Sequence, residues 1–390
     1  MVPSSGHVLI APDKFKGSLT AAEAADRIAS GIIRASPGTM VRVMPVADGG
    51  EGTVLAAIAA GFEPVPVRVT GPVGGPVTAM IAVRGDVAVV EAAQACGLQL
   101  LPGGELCPLT ASSYGVGELI AAAAGLGCRR IVLGLGGVAC TDGGAGMAQG
   151  LGARLLDASG RSLPPGGAAL ALSHRLELGS LAERIGGMEF VAASDVDNPL
   201  LGSRGAAAVY GPQKGAAPKD VRVLDAALAR WADRVAELTG SDLREVPGAG
   251  AAGGLGFGVL ALLGASLRPG IALLLELLGF ADAVRGAALV VTGEGCLDRQ
   301  TLHGKAPAGV LGAAAAENVP VAVVAGRIDL TESEWREAGF TAAYSLSELA
   351  ADLGDVEDGN AGGHGASFRR AGELAELAGM GLAADFLGAG

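Results

Sequence analysis

Charged and small polar residues gather in this sequence directly after short apolar runs, where a parallel α/β sheet sends out its loops. HVLIA (7–11) is followed by Asp13, Lys14, Lys16 and Ser18, and MVRVM (40–44) by Asp48, Gly49, Gly50 and Glu51. The run ending at Thr292 leads to Glu294, Asp298 and Gln300, and VPVAVVAG (319–326) to Arg327 and Asp329. In open parallel sheets the ligand crevice lies beyond the carboxyl ends of the strands. Asp and Gly are ordinary turn residues, yet repeated loading of the loops at one end of one sheet marks that edge for a ligand.

A second set stands mid-chain. SDVDNPL (194–200) follows an apolar run, and an extended chain puts Asp195 and Asp197 on one side, which suits a hard divalent cation. Asn198 could add a carbonyl oxygen, and an Asx turn before Pro199 is the ordinary alternative. GLGGVACTDGGAG (134–146) has the glycines that let backbone N–H groups approach a phosphate, although a plain turn uses them too. A carboxylate-rich, Gly-rich cleft with a few lysines matches phosphoryl transfer from a nucleotide. That reaction needs metal-bound phosphates, positive charge at the transferred group and a carboxylate near the attacking hydroxyl. Residue chemistry alone therefore reaches a Mg-dependent transferase or a phosphate-ligand binder.

Other chemistries lack their residues. Gly248, Gly250 and Gly253 satisfy G-x-G-x-x-G but follow a polar stretch, so a dinucleotide fingerprint is rejected, while a phosphate-contacting or hinge role for PGAGAAGGLG stays open. No G-x-x-x-x-G-K-[ST] and no G-x-S-x-G occurs, and His7, His174, His303 and His364 share no motif spacing. Cys96, Cys107, Cys128, Cys140 and Cys296 form no C-x-x-C pair, which predicts neither a disulfide framework nor a zinc site, and a reducing, cytoplasmic setting.

The elements that must position these groups follow from punctuation. Residues 7–60 read as strand, helix, strand, helix, with Thr20 and Glu23 as a capping box for a helix to about Ala35 and a second helix over Thr53 to Ala60. VPVRV (65–69), VTAMIAV (77–83) and VAVVE (87–91) predict hairpins. Helices are expected over about 113–124, 218–238, 252–264 and 271–278, with strands at 130–134 and 189–193. Alternation returns with strands at 287–293, 319–326 and 342–346, a helix over 303–319 and a closing helix from Ala366. The simplest arrangement is a Rossmann-like (flavodoxin-like) parallel-sheet domain split in sequence, residues 1–64 and 284–390, with a mixed α/β domain, 65–283, inserted. The active site is then expected between the two.

Bulk composition agrees. At roughly 150 residues per domain, 390 residues predict two domains, and 50% apolar against 17% charged residues is ample for large cores. A net charge of −12 and no run of more than two basic residues argue against nucleic acid, and 3% aromatics against stacking platforms. The start, MVPSSGHVLIAPDKFKG, has no basic n-region followed by a long apolar h-region, so a signal peptide is not expected there. Val246 to Leu267 holds seven glycines and Pro247, reading as a loop and buried helix rather than a membrane span.

Taken together, APDKFKGSLTA (11–21), PVADGGEGT (45–53), TASSYGVGELI (110–120), GLGGVACTDGGAGM (134–147), SDVDNPLLGSRGAAAVYGPQKGA (194–216), PGAGAAGGLGFG (247–258) and GEGCLDRQTLHGKAPAGV (293–310) closely resemble the bacterial type I glycerate kinase family, in order along essentially the whole chain. The resemblance implies Mg²⁺-dependent transfer of the ATP γ-phosphate to a hydroxyl of D-glycerate, in a two-domain α/β fold whose first domain is discontinuous. Members are usually assigned 2-phosphoglycerate as product, and 3-phosphoglycerate is also attached to the family's name. Rival readings are a kinase for another small hydroxy acid and a non-enzymatic hydroxy-acid binding protein. Two departures stand out: Cys296, where the family commonly has Arg, so that no arginine role carries over, and Tyr210, where Phe is common.

Motif and geometry together assign expected roles. Lys16, at the start of the first helix, neutralises substrate carboxylate or transferred phosphoryl. Asp195 and Asp197, with Asn198, are expected to hold Mg²⁺, or one of the two aspartates to accept the hydroxyl proton, with Asp298 the rival base. Asp13, Ser18, Asp48, Glu51 and Arg327 are expected to bind glycerate, with the metal as the alternative for Asp48 and Glu51. Gly136, Gly137, Thr141, Asp142, Gly250, Gly253, Lys214, Glu294 and Lys305 face the nucleotide, with helix capping as the alternative for both lysines. The assembly expectation leaves room for a homodimer.

Overall fold

The computed structural model describes residues 6–302, 304–353 and 369–388, so His303, His364 and the expected helix start at Ala366 lie outside the described residues. The chain clusters into two compact units, residues 1–48 with 271–390, and residues 49–270.

The first unit is built on a five-stranded sheet in the order Ala342–Ser345, Val321–Ile328, Ala287–Leu297, His7–Pro12, Val41–Val43. Every neighbouring pair is parallel. Numbered along this unit, the order is 2-1-3-4-5, the flavodoxin-like arrangement. Helix Ala21–Ala35 opens with the expected capping box: Glu23 N donates to Thr20 Oγ1 at 3.2 Å and Thr20 N to the Glu23 carboxylate at 2.9 Å. Its buried face, Ala24, Ala25, Ile28 and Ile32, packs with Leu374, Ala375, Ala378 and Leu382 of helix Ala371–Phe386. The two helices cross at Gly31, where a Cβ would run into the Glu376 carbonyl oxygen. Gly31→Ala is therefore expected to lower stability by about 1–3 kcal/mol, overpacking outweighing the better helix propensity of alanine. A denaturation midpoint equal to or above that of the parent chain would contradict this.

The second unit carries a six-stranded sheet in the order Ser266–Arg268, Glu189–Ala193, Arg130–Gly134, Val87–Glu91, Pro76–Arg84, Glu63–Thr70. Pro76–Arg84 pairs antiparallel with both Glu63–Thr70 and Val87–Glu91, as the hairpin reading expects, and the other neighbouring pairs are parallel. Leu119, Ile120, Ile131, Leu133, Trp231 and Phe257 are among its fully buried core residues. Val246 to Leu267 holds the helix Ala251–Leu263, buried on nearly every side, and among the described residues no helix is long and apolar enough to cross a membrane.

The unit boundaries fall at 48/49 and 270/271 rather than at 64/65 and 283/284. Helix Thr53–Ala59 leaves the first sheet because Glu91, ending a strand of the second, accepts from Gly52 N at 3.1 Å and Val54 N at 3.2 Å. Residues 271–283 stay with the first unit through His7 Nε2, 2.8 Å from the Ala283 carbonyl. The strand expected over 287–293 runs on to Leu297, because its register with Val321–Ile328 continues through Glu294↔Ala325 and Leu297↔Ile328. The helix expected over 303–319 is shorter, Ala306–Ala315, with Pro307 in its first turn.

Candidate functional site

In the first unit the strand order reverses between His7–Pro12 and Ala287–Leu297, which is where a doubly wound sheet opens its crevice. Pro12 pairs with Gly293, and Asp13 N donates to the Gly293 carbonyl at 2.8 Å, so the loop after one strand is tied to the other. Asp13 is 8% exposed, accepts from Lys14 N at 2.6 Å and pairs with Lys14 Nζ at 3.8 Å. Residues 15–19 fold into a tight turn closed by Phe15 N donating to Leu19 O at 2.9 Å and Ser18 Oγ to Phe15 O at 3.1 Å. Lys16 rides this turn, exposed and with no side-chain partner among the described residues. It precedes the helix start expected for it, because the N-terminus at Ala21 is already satisfied by Thr20 and Glu23.

Glu294 sits inside the extended strand and is 8% exposed. Thr301 Oγ1 donates to its Oε1 at 2.5 Å. Asp298 N donates to Thr301 Oγ1 at 3.2 Å, Thr301 N to Asp298 Oδ1 at 3.0 Å, and Lys305 Nζ to Asp298 Oδ1 at 3.2 Å. Burial, helped by the charges of Asp298 and Asp13, pushes the Glu294 carboxyl up to about 7, against the pull of Thr301 and Lys305. Burial also opposes ionisation of Asp298, but hydrogen bonds from Thr301 and Lys305 outweigh it and hold that carboxyl below its ordinary value. One cluster thus holds a charged carboxylate beside a protonatable one, an arrangement suited to proton transfer at neutral pH.

The raised carboxyl has a consequence for stability. Between the ordinary 4.5 and about 7 the folded chain holds a proton on Glu294 that the unfolded chain has lost, so folding weakens as pH rises through this window. Glu294→Gln is expected to stabilise the protein by up to about 3 kcal/mol at pH 8, with the gain vanishing near pH 4. Urea titrations at both pH values check this; an equal gain at both would contradict it.

The other residues expected on this edge are more exposed than Asp13 and Glu294. Arg327 is exposed and chelates Asp329 at 2.8 and 2.9 Å. Cys296 Sγ donates to Asp329 Oδ2 at 3.4 Å, and burial pushes its thiol up. Asp48 is half-buried and Glu51 exposed.

In the second unit, Gly136 and Gly137 turn the chain after Arg130–Gly134, with Leu98 N donating to Gly137 O at 3.1 Å. Asp142 is 1% exposed and accepts from Ser113 N at 2.8 Å, Ser113 Oγ at 3.0 Å, Gly144 N at 3.2 Å and Gly146 N at 3.3 Å. Burial raises its carboxyl, against these bonds. Lys214 is equally interior: its Nζ donates to the Cys140 carbonyl at 2.6 Å, and burial lowers its affinity for a proton. A Cβ on Gly253, whose φ is +69, would strike that carbonyl and Lys214 Nζ. Asp142 and Lys214 are thus anchors that hold the Gly-rich loop, while the Thr141 hydroxyl is buried with no hydrogen-bond partner among the described residues. Gly250 N donates to Asn198 O at 2.8 Å, joining the kinked helix start to the 195–198 loop.

In that loop Asp195 accepts from Gly270 N at 2.8 Å and Asp197 pairs with Arg204 at 3.4 Å. Asn198 accepts from Tyr210 Oη at 2.6 Å and donates to Arg204 O at 2.7 Å. Among the described residues no group of three or more His, Cys, Asp and Glu could hold a metal ion. Sequence reasoning missed Ser113, Thr301 and Glu91. Thr301 stands three residues after Asp298, the spacing of a helix cap, and Glu91 is a lone charge ending an apolar strand, so both left a trace.

Comparison with known proteins supplies the family. Residues 8–364 match the glycerate kinase family. The chain is 45% identical over 352 residues to a glycerate kinase of Bacillus subtilis (strain 168), covering 90% of this chain and 92% of that one. It is 41% identical over 343 residues to a glycerate 2-kinase of Escherichia coli (strain K12), covering 87% and 90%. A crystal structure assigned as glycerate kinase 2 from Salmonella typhimurium LT2 superposes with a TM-score of 0.82 at 38% identity over 98% of each chain.

Proposed function

The chain belongs to the glycerate kinase family, and from that premise we propose that it transfers the γ-phosphate of ATP to the 2-hydroxyl of D-glycerate, with Mg²⁺, in the cytoplasm. The observation that carries the choice of product is the 41% identity to a relative named glycerate 2-kinase. The chemistry of the first unit supports phosphoryl transfer: a flavodoxin-like switch point holding Asp13, Glu294, Asp298 and Lys305, with Lys16 exposed on the turn that follows Asp13. Lys16 neutralises charge on the transferred phosphoryl, and Asp13 and Ser18 orient the acid. The Gly-rich loop of the second unit, anchored by Asp142 and Lys214, offers backbone N–H groups to the nucleotide.

Mg²⁺ characteristically takes one or two carboxylates together with substrate phosphates and waters. Asp195 and Asp197 are exposed carboxylates two residues apart with no third acidic ligand in reach among the described residues, a donor set that fits a metal carried by the nucleotide. When bound, the ion would neutralise charge developing on the phosphates.

The test is ³¹P NMR of protein with ATP and D-glycerate, with and without Mg²⁺. A metal-dependent 2-phosphoglycerate resonance is expected. A 3-phosphoglycerate resonance would reassign the attacking hydroxyl, and no phosphoester from folded protein would remove glycerate and send the search to other small hydroxy acids.

A further inference from the structure

The reaction must dispose of one proton. As the glycerate hydroxyl oxygen bonds to the γ-phosphorus and the bond to the ADP oxygen breaks, the hydroxyl proton needs an acceptor whose affinity lies near the working pH. Asp298 is poorly matched, since Lys305 Nζ and Thr301 N both hold its Oδ1 in the charged form. Glu294 is differently placed. Only its Oε1 has a hydrogen-bond partner among the described residues, Thr301 Oγ1, and 8% of the residue remains exposed.

Thr301 itself is fully buried, and its hydroxyl is constrained from both sides. Its oxygen takes the N–H of Asp298 at 3.2 Å, and that oxygen lies 2.5 Å from Glu294 Oε1 against 3.3 Å from Asp298 Oδ1 and 3.5 Å from the Cys296 carbonyl. A hydroxyl has one proton to give, so Glu294 receives it. We propose that Glu294 accepts the proton of the attacking hydroxyl and that Thr301 is the positioning residue that fixes its carboxylate, an inference resting on the kinase reading above. The proton leaves the carboxylate for water after transfer, restoring the resting charge. Asp13 and Asp298 are the acidic groups facing Glu294 and Lys305 the basic one, so these set its ionisation with Thr301; burial brings it to about 7.

The experiment is the pH dependence of kcat for the full chain and its Thr301→Val, Thr301→Ser and Glu294→Gln variants, each checked for folding by circular dichroism. The parent chain is expected to lose activity below about pH 7 along a single-proton limb. Thr301→Val is expected to move that limb up by about one pH unit and lower plateau kcat about tenfold, with both KM values nearly unchanged, and Thr301→Ser to restore both. Glu294→Gln is expected to lose about 10²-fold in kcat together with the limb. A limb that stays in place in folded Thr301→Val, or survives in Glu294→Gln, would overturn the proposal while leaving the kinase reading intact. Absence of parent-chain turnover would instead overturn the reading and the proposal with it.

Discussion

Asp142→Ala is expected to lower the free energy of unfolding by roughly 5 kcal/mol. The carboxylate of Asp142 is the acceptor for the Ser113, Gly144 and Gly146 N–H groups and for the Ser113 hydroxyl, all inside the second unit. Deleting it strands these donors where water cannot reach them, at about 1–3 kcal/mol each before relaxation. Asp142→Asn keeps the shape but turns one acceptor into a donor facing donors, so about half the loss is expected. Urea denaturation at constant m measures both. A midpoint unchanged by the alanine variant would mean that the Gly-rich loop is held by other contacts, with Lys214 to the Cys140 carbonyl the first to examine.

Lys16→Ala is expected to lower kcat/KM for D-glycerate about 10³-fold, the scale on which a single positive charge acts on a transferring phosphoryl group. Its thermal midpoint should stay within about 1 °C of the parent value, because an exposed side chain without structural contacts contributes little to stability. Both halves follow from one observation: Lys16 is exposed on the 15–19 turn and has no side-chain partner among the described residues. Steady-state kinetics with a melting curve decides it. Activity within tenfold of the parent would remove Lys16 from the reaction, whereas a large drop in the midpoint would reveal a structural role instead.

Several features were open to reading from local sequence because local physics makes them. The Thr20–Glu23 capping box and the hairpins through GPVGGP and RGD depend on residues a few positions apart. The charged loops after the strands were legible for the same reason: apolar runs announce strands, and the residues after them are the loops. The division of the chain was less so. Glu91 captures the start of helix Thr53–Ala59 from 39 residues away, measured at Gly52, and nothing in the helix itself announces that capture.

What the amino-acid order by itself determined was the alternation that makes two α/β units, the family, and the stock of carboxylates, lysines and glycines that phosphoryl transfer requires. What only the tertiary structure decided was the state of those groups. Lys214 looks in sequence like a lysine for phosphate, yet the packing of Gly253 and the Cys140 carbonyl around its Nζ makes it an interior anchor. Glu294 and Asp298 are two carboxylates of one motif, yet one is raised to about 7 and the other lowered. The difference arises because Glu294 is carried inward by strand pairing with Ala325, while Asp298 meets Lys305 and the Thr301 N–H at a helix start. Ionisation depends on burial and on partners brought from elsewhere in the chain, and those are properties of the folded sheet rather than of any segment.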